Sequence, residues 1–464
     1  MQSPLINKLS ALIIILSVGL SLSINAYAKL WEVGSTSEHS LQEVLSYAKD
    51  GDTILVKGGA HKGPFFLRKK VTLIGRGNPL LLGDGTGSVV TVLSNGIHLT
   101  GFTIQNSGSD PMDEPAGIFL KSNRNLIEDC VISDVLYGIY LYSSHGNTIR
   151  GNKIQTRKSV PMSERGSGIH LWNSNDNVLS ENEISFARDG LYFDHAYKNS
   201  VKDTVIHHLR YGLHYMFCDG NTIENVLSYE NLAGCALMYS RGMLVRGNAF
   251  IKNRSASAVG LLLKDLNDSV IESNLFLGNV TAIFIDNSHR NLFRNNQLYG
   301  NDLAIQLYPS SLENTFTKNN FINNLSPILL VGVRTTTKWA QDGLGNYWDN
   351  YNGYDLNGDG IGDISYHIQD VFQLLAGTHP GLRLYLDSPT ARAIAFSESV
   401  FPIIRVSEDY DPAPLMKPVP FTVDSFPAYA HRNKASSSPL TLNIALPLFL
   451  FISSLVTIVW AKRL

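Results

Sequence analysis

YGLHYMFCDGNTIENVLSYENLAGCALMYSRGMLVRGN, residues 211–248, says nearly the same thing twice. Gly212-Leu-His-Tyr-Met216 opens one copy and Gly234-Cys-Ala-Leu-Met238 opens the next, 22 residues on. Working outward, copies begin at Gly117, Gly138, Gly168, Gly190, Gly212, Gly234, Gly260, Ala282 and Ala304. Two longer steps are absorbed by insertions at Gln155–Ser167 and Ser255–Val259. A fixed period in the low twenties marks a solenoid.

Each copy reads small, apolar, x, apolar, then polar residues, then Asn, as in Gly168-Ile-His-Leu-Trp-Asn-Ser-Asn-Asp-Asn177. Alternation with period two means strands, and runs of four or five residues between turns leave no room for helix pairs. Asn recurs at 125, 147, 177, 199, 221 and 291 in one turn, and at 152, 182, 248, 274 and 296 in another. Asn tolerates left-handed backbone, and its amide can bond to the same residue one coil away. The expected fold is all-β, a parallel β-helix with one coil of about 22 residues per repeat. The crossover rule for parallel strands makes it right-handed.

The ends differ in character. Lys8, the apolar run Leu9–Leu22 and Ala26-Tyr-Ala28 form an export signal over residues 1–28. Residues 29–116 are expected to hold an N-terminal cap and the first coils, with a short helix at Leu41–Lys49; residues 117–344 are the regular repeats. Residues 345–405 combine an Asp/Gly/Asn-rich loop with a helical cap, His367–Ala376 and Pro389–Phe401. A Pro-rich linker spans 406–438, and a hydrophobic segment, 439–461, is long enough for a transmembrane helix.

Composition narrows function. A net charge of −2 leaves no polybasic footprint for nucleic acid. Three cysteines, Cys130, Cys218 and Cys235, are too few for a disulfide framework. Register places Cys235 inward and Cys218 in a small-residue turn column with Ser144, Ser174, Ala196, Ser240 and Ser288, so both read as buried structural residues.

Positions two and four after the leading Gly face out. They run Phe119, Tyr140, His170, Tyr192, His214, Ala236, Leu262 and Lys121, Tyr142, Trp172, Asp194, Met216, Met238, Lys264. A plain solvated face would carry Lys, Glu, Ser and Thr. Either the strip is functional, or a loop such as 155–167 or a partner packs on it. Thioether and imidazole are ligands for Cu(I). His214 and Met216 share a face and Met238 lies one coil away, with His170, Asp194 and His195 nearby. Downstream, Asp355, Asn357, Asp359 and Asp363 match the first nine positions of a Ca²⁺ loop, with Gly360 at the turn; Tyr366 stands where the bidentate Glu belongs.

Leu213-His-Tyr-Met216 followed by Ala236-Leu-Met-Tyr-Ser-Arg241 in adjacent coils resembles the NosD family, the periplasmic β-helical maturation factors of nitrous oxide reductase. DGDTILVKGGAHKGPFFLRKKVTLIGRG (50–77), GNYWDNYNGYDLNGDGIGD (345–363) and DPAPLMKP (411–418) extend the resemblance over most of the chain. It implies copper handling at the periplasmic face of the inner membrane. It also implies association with an ABC transporter (membrane subunit and ATPase), a copper-chaperone lipoprotein and the nitrous oxide reductase apoprotein. The competing reading is a polysaccharide lyase or epimerase, a common use of β-helices, with Tyr192, Asp194 and His195 abstracting a proton. A groove for acidic sugars should be lined by several Lys and Arg. The strip offers Arg241 and Lys264 among aromatics and methionines, which favours a non-enzymatic role.

Overall fold

Three short strands per coil, each recurring every 22 residues or so, stack into three parallel sheets in the computed structural model. The described residues are 28–368 apart from 35–36 and 332–334, then 409–422, with separate positions between 380 and 397. Sheet A runs from Leu30–Val33 to Thr315–Thr317, sheet B from Ala60–Lys62 to Tyr347–Trp348, and sheet C from Phe65–Leu67 to Ser326–Leu330. Successive strands of a sheet come from successive coils, all parallel. This is the expected β-solenoid.

The register follows the repeat. Leu191, Leu213, Cys235 and Leu261 are consecutive partners in sheet C, as are Phe193, Tyr215, Leu237 and Leu263, and all are fully buried in the core. The leading Gly has a steric cause. A Cβ on Gly212 would press into the carbonyl oxygen of Gly234 in the next coil. Near the N-terminus a helix, Leu41–Tyr47, is started by a capping box between Ser40 and Glu43 and buries Leu41 and Val44 over the first coil.

The Asn columns form ladders. Asn147 Oδ1 accepts from the backbone N–H and the side-chain Nδ2 of Asn125, and Asn177 does the same for Asn147. Asn177 Nδ2 in this way bonds Asn199 and also the Ser144 carbonyl, so buried turn groups are satisfied. None of the eleven ladder residues named from the sequence has positive φ. The left-handed positions precede them, at Arg124, Gly146, Asp176, Lys198 and Gly220 in the first column. Asn is there for its amide, not for its backbone tolerance. A third ladder, Asn231, Asn253, Asn279, Asn301 and Asn324, stands at the corner between sheets B and C. The second ladder continues through Asn319 and Asn346 and ends on Asp411, whose Oδ2 accepts from the Asn346 N–H (2.7 Å) and Trp348 Nε1 (2.9 Å). The Asp of DPAPLMKP is therefore the last rung.

Residues 409–422, which fall in the stretch read as linker and contain the closing motif, lie against the solenoid. Tyr410–Asp411 pairs antiparallel with Tyr366–His367, Val419 bonds Asn320, and Phe421 packs on an apolar strip of sheet B containing Leu227, Tyr229 and Ile251. His367, read as a helix start, is in that strand, because Tyr366 stacks on Trp348 (4.4 Å, 15°) and holds the backbone extended. Residues 369–376 lie outside the described residues. Positions 389, 390, 393, 394 and 397 are helical, as expected for Pro389–Phe401. The segments 1–27 and 423–464, which include most of the expected export signal and all of the hydrophobic segment, also lie outside. Among the described residues, no helix is long and apolar enough to cross a membrane.

The outer face of sheet A carries a column of alternating charge: Lys202, Glu224, Arg246, Glu272, Arg294. Glu272 lies between Arg246 Nε (2.5 Å) and Arg294 Nε (2.6 Å). Burial pushes its carboxyl up, but hydrogen bonds from Arg294 and Arg246 outweigh that and hold it below its ordinary value of 4.5. A depressed carboxyl contributes stability that is complete above the unfolded value and drains as pH falls through the folded one. Glu272→Gln should therefore cost about 1–2 kcal/mol at neutral pH. It should also flatten the acid limb of Tm against pH below about 4.5. An acid limb identical to wild type would remove Glu272 from acid lability.

Candidate functional site

His214 points out of sheet C, as register demands, yet only 8% of it is exposed. Its ring sits edge-on between Tyr192 (4.9 Å) and Tyr211 (4.8 Å). Nδ1 lies 3.2 Å from Asp189 Oδ2, while Nε2 is buried without a hydrogen-bond partner. Asp189 has no exposed surface and takes a forked pair of bonds from Arg210, Nε at 2.8 Å and Nη2 at 2.6 Å. Burial pushes the Asp189 carboxyl up; hydrogen bonds from His214 and Arg210, with the guanidinium charge, reverse this and keep it ionised. An ionised carboxylate can only accept, so Nδ1 is the donor and Nε2 is the nitrogen a neutral ring would offer to a metal.

Met216 and Met238 are direct register partners on the same face, both half-buried. Asp194 is the register partner of Met216 on the other side, and its Oδ1 is engaged by His195 Nδ1 at 2.6 Å. His195 itself turns onto the corner between sheets, at φ 50°, and stacks on Phe217. His170 is two coils from His214, stacked on Tyr140 (4.4 Å), with Nδ1 unbonded; burial holds its pKa down at about 3, so the ring is neutral. Register thus puts His214, Met216 and Met238 on one face in adjacent coils, sets Asp194 at their border, and places His195 and His170 apart.

Among the described residues, no three His, Cys, Asp or Glu side chains converge as a metal site. One imidazole and two thioethers on one face are side chains that suit a soft monovalent ion such as Cu(I) and suit a hard one poorly. The thiols stay out of it. Cys218 accepts the Ala196 N–H and its own N–H goes to Ser240 Oγ, in the expected turn column. Burial pushes its pKa to about 12, and that of Cys235 higher still, so neither is a thiolate.

Two features escaped the sequence reading. Asp189 and Arg210 lie 25 and 4 residues from His214, outside the outward columns. The second is the corner column Ser143, Asn173, His195, Phe217, Tyr239, Asp265, Asn287, every member at positive φ. Polar residues suit that backbone; Phe217 and Tyr239 do not, yet they stand exposed and stacked (5.0 Å, 16°) directly after the two methionines. Phe and Tyr in a column otherwise of Ser, Asn, Asp and His were the available signal.

Beside the patch, a cleft of about 400 Å³ is lined by Tyr140, Tyr142, His170, Trp172, Arg188 and Tyr192, among others. Glu114 and Asp194 also line it, so its charge does not favour acidic sugars. The 155–167 insertion bonds Ser107, Asp134 and Phe186 through Arg157 and Arg165, and its end forms one wall of this cleft.

In the Asp355 loop the carboxylates turn onto the loop's own N–H groups. Asp355, half-buried, accepts from Gly358 and Gly360; the exposed Asp359 accepts from Ile361 and the exposed Asp363 from Leu356. If a Ca²⁺ ion adds to this scaffold, chelator should lower the melting temperature of wild type and not of Asp359→Ala. Identical melting with and without chelator removes the cation.

A family profile described as "Periplasmic copper-binding protein (NosD)" matches residues 82–160 and 153–353. The "Probable ABC transporter binding protein NosD" of Stutzerimonas stutzeri is 30% identical over 376 residues, 77% of this chain and 85% of that one. The protein of the same name from Pseudomonas aeruginosa is 30% identical over 390 residues, 80% and 90%. Among solved structures, the Yersinia enterocolitica family 28 exopolygalacturonase aligns over 68% of this chain and 79% of its own, with TM-score 0.50 and 12% identity, a likeness of fold alone.

Proposed function

The chain belongs to the NosD family of periplasmic copper-binding proteins, and from that membership we propose that it takes up Cu(I) at His214, Met216 and Met238. The observation that supports this is His214 Nε2, buried and without a hydrogen-bond partner, on the same face as two register-paired thioethers. The ion is cargo: half-buried methionines leave a route for exchange with a partner. The relatives are named as ABC transporter binding proteins. This chain accordingly docks on a transporter's membrane subunit and its ATPase, receives copper from a chaperone lipoprotein, and presents it to the apoprotein of nitrous oxide reductase. It acts as an assembly factor without catalysis of its own. Anaerobic Cu(I) titration of the full-length chain in detergent, against a chromophoric chelator, tests the site. Sulfur scattering should appear in the copper X-ray absorption spectrum and vanish in His214→Ala together with one equivalent of metal. Copper bound without sulfur neighbours would overturn the assignment.

The hydrophobic segment 439–461 tethers the protein to the inner membrane in this reading. Truncation after Lys434 should release it to the soluble periplasmic fraction; retention would mean that the transporter, not the tail, holds it.

A further inference from the structure

A second pair of histidines lies on sheet B, apart from the His214 patch. His207 ends the strand Val205–His207, and His208 follows in left-handed backbone, φ 60°. That corner turns the two neighbouring rings toward each other, with the Nδ1 atoms 2.7 Å apart. The opposite nitrogens each face a carboxylate: His208 Nε2 lies 3.2 Å from Glu230 Oε2, and His207 Nε2 lies 3.8 Å from Glu183 Oε1. Phe186 stacks on His208 (5.2 Å, 26°) and Tyr229 on His207 (4.8 Å, 19°), walling the pair on two sides.

Neutral rings cannot satisfy all four of these nitrogens at once. If each Nε2–H donates to its glutamate, the two Nδ1 lone pairs meet head-on. If one Nδ1 carries the hydrogen to relieve them, its Nε2 must give up the N–H. His207 Nε2 is indeed buried with no hydrogen-bond partner beside Glu183. A cation between the Nδ1 atoms resolves both ends at once. Imidazoles that donate one N–H to a carboxylate and offer the other nitrogen are the usual form of metal-binding histidine.

We propose that His207 and His208 form a second copper(I) site, holding the ion in two-coordinate fashion between their Nδ1 atoms. Two donors suffice for this d¹⁰ ion, whereas Zn²⁺ would need about four, and no third His, Cys, Asp or Glu converges among the described residues. With metal–nitrogen bonds of about 2.0 Å in a linear arrangement, the nitrogens stand about 4 Å apart. The rings must part by a little over 1 Å, which the half-exposed His208 on its turn can supply. Uptake moves the proton of one Nδ1 to the Nε2 of the same ring, where a glutamate receives it, so no proton is released.

The test uses full-length Met216→Ala/Met238→Ala protein in detergent, titrated anaerobically with Cu(I) against a chromophoric chelator. It should still bind one equivalent, with a two-coordinate, nitrogen-only absorption edge. Adding His208→Asn, which keeps the left-handed turn, should abolish that equivalent, and Glu230→Gln should weaken it about tenfold. No copper uptake by the methionine variant would overturn the proposal, as would binding that survives His208→Asn. The sulfur signal of the wild type reports on the other patch separately.

Discussion

Met216→Ala combined with Met238→Ala is expected to erase the sulfur-ligated Cu(I) equivalent and leave the fold intact. Both side chains point away from the solenoid core and are half-buried, so truncation removes few packing contacts, about 0.5 kcal/mol each. The mirror experiment is Leu213→Ala with Leu237→Ala, in the same two strands. These side chains face inward with no exposed surface. Each should cost about 2–5 kcal/mol, a transfer term plus the cavity left behind. The methionine pair should therefore change the chelator competition and not the urea midpoint, while the leucine pair should do the reverse in any fraction that remains folded. Sulfur scattering unchanged in the methionine variant would move the copper elsewhere. The patch, with exposed Phe217 and Tyr239 beside it, would then read as a docking surface, and enzyme maturation would fail without loss of copper binding.

The solenoid was legible because its constraint is repeated many times. An inward position is fully buried in coil after coil, so apolar residues recur at fixed spacing, and Gly190, Gly212 and Gly234 mark the phase where a Cβ would strike the next coil's carbonyl. The third ladder was missed because its members begin only at Asn231. Outward register of His214, Met216 and Met238 was also legible, being a direct consequence of the same alternation. What register cannot convey is burial of an outward side chain. His214 is covered by Tyr192 and Tyr211 and pinned by a carboxylate 25 residues earlier, contacts made across coils by residues from other columns. The closing motif was recognisable as a signature but mute as physics. Only the fold shows Asp411 standing as the end rung, its carboxyl pushed up by burial and drawn back in part by Trp348, Asn346 and Ala413.

Asp189 is where fold and site meet, and two substitutions there should separate the two roles. Asp189→Ala leaves the Arg210 guanidinium without its forked partner in a half-buried position and removes the acceptor for His214. Breaking a buried pair on one side costs about 3–5 kcal/mol, so this variant should be strongly destabilised. Asp189→Asn keeps the shape and loses the charge. Oδ2 is the atom that both His214 Nδ1 and Arg210 Nη2 reach, so the amide oxygen belongs there and the NH₂ turns to Arg210 Nε, where it meets a donor. His214 then keeps an acceptor, but a neutral one, which polarises the ring less and makes Nε2 a weaker ligand. Cu(I) affinity at the sulfur-ligated site should fall about tenfold, with a smaller loss of stability in urea than Asp189→Ala. Wild-type affinity in Asp189→Asn would mean that the carboxylate charge does not tune His214, and Asp189 would then be a structural partner of Arg210 alone.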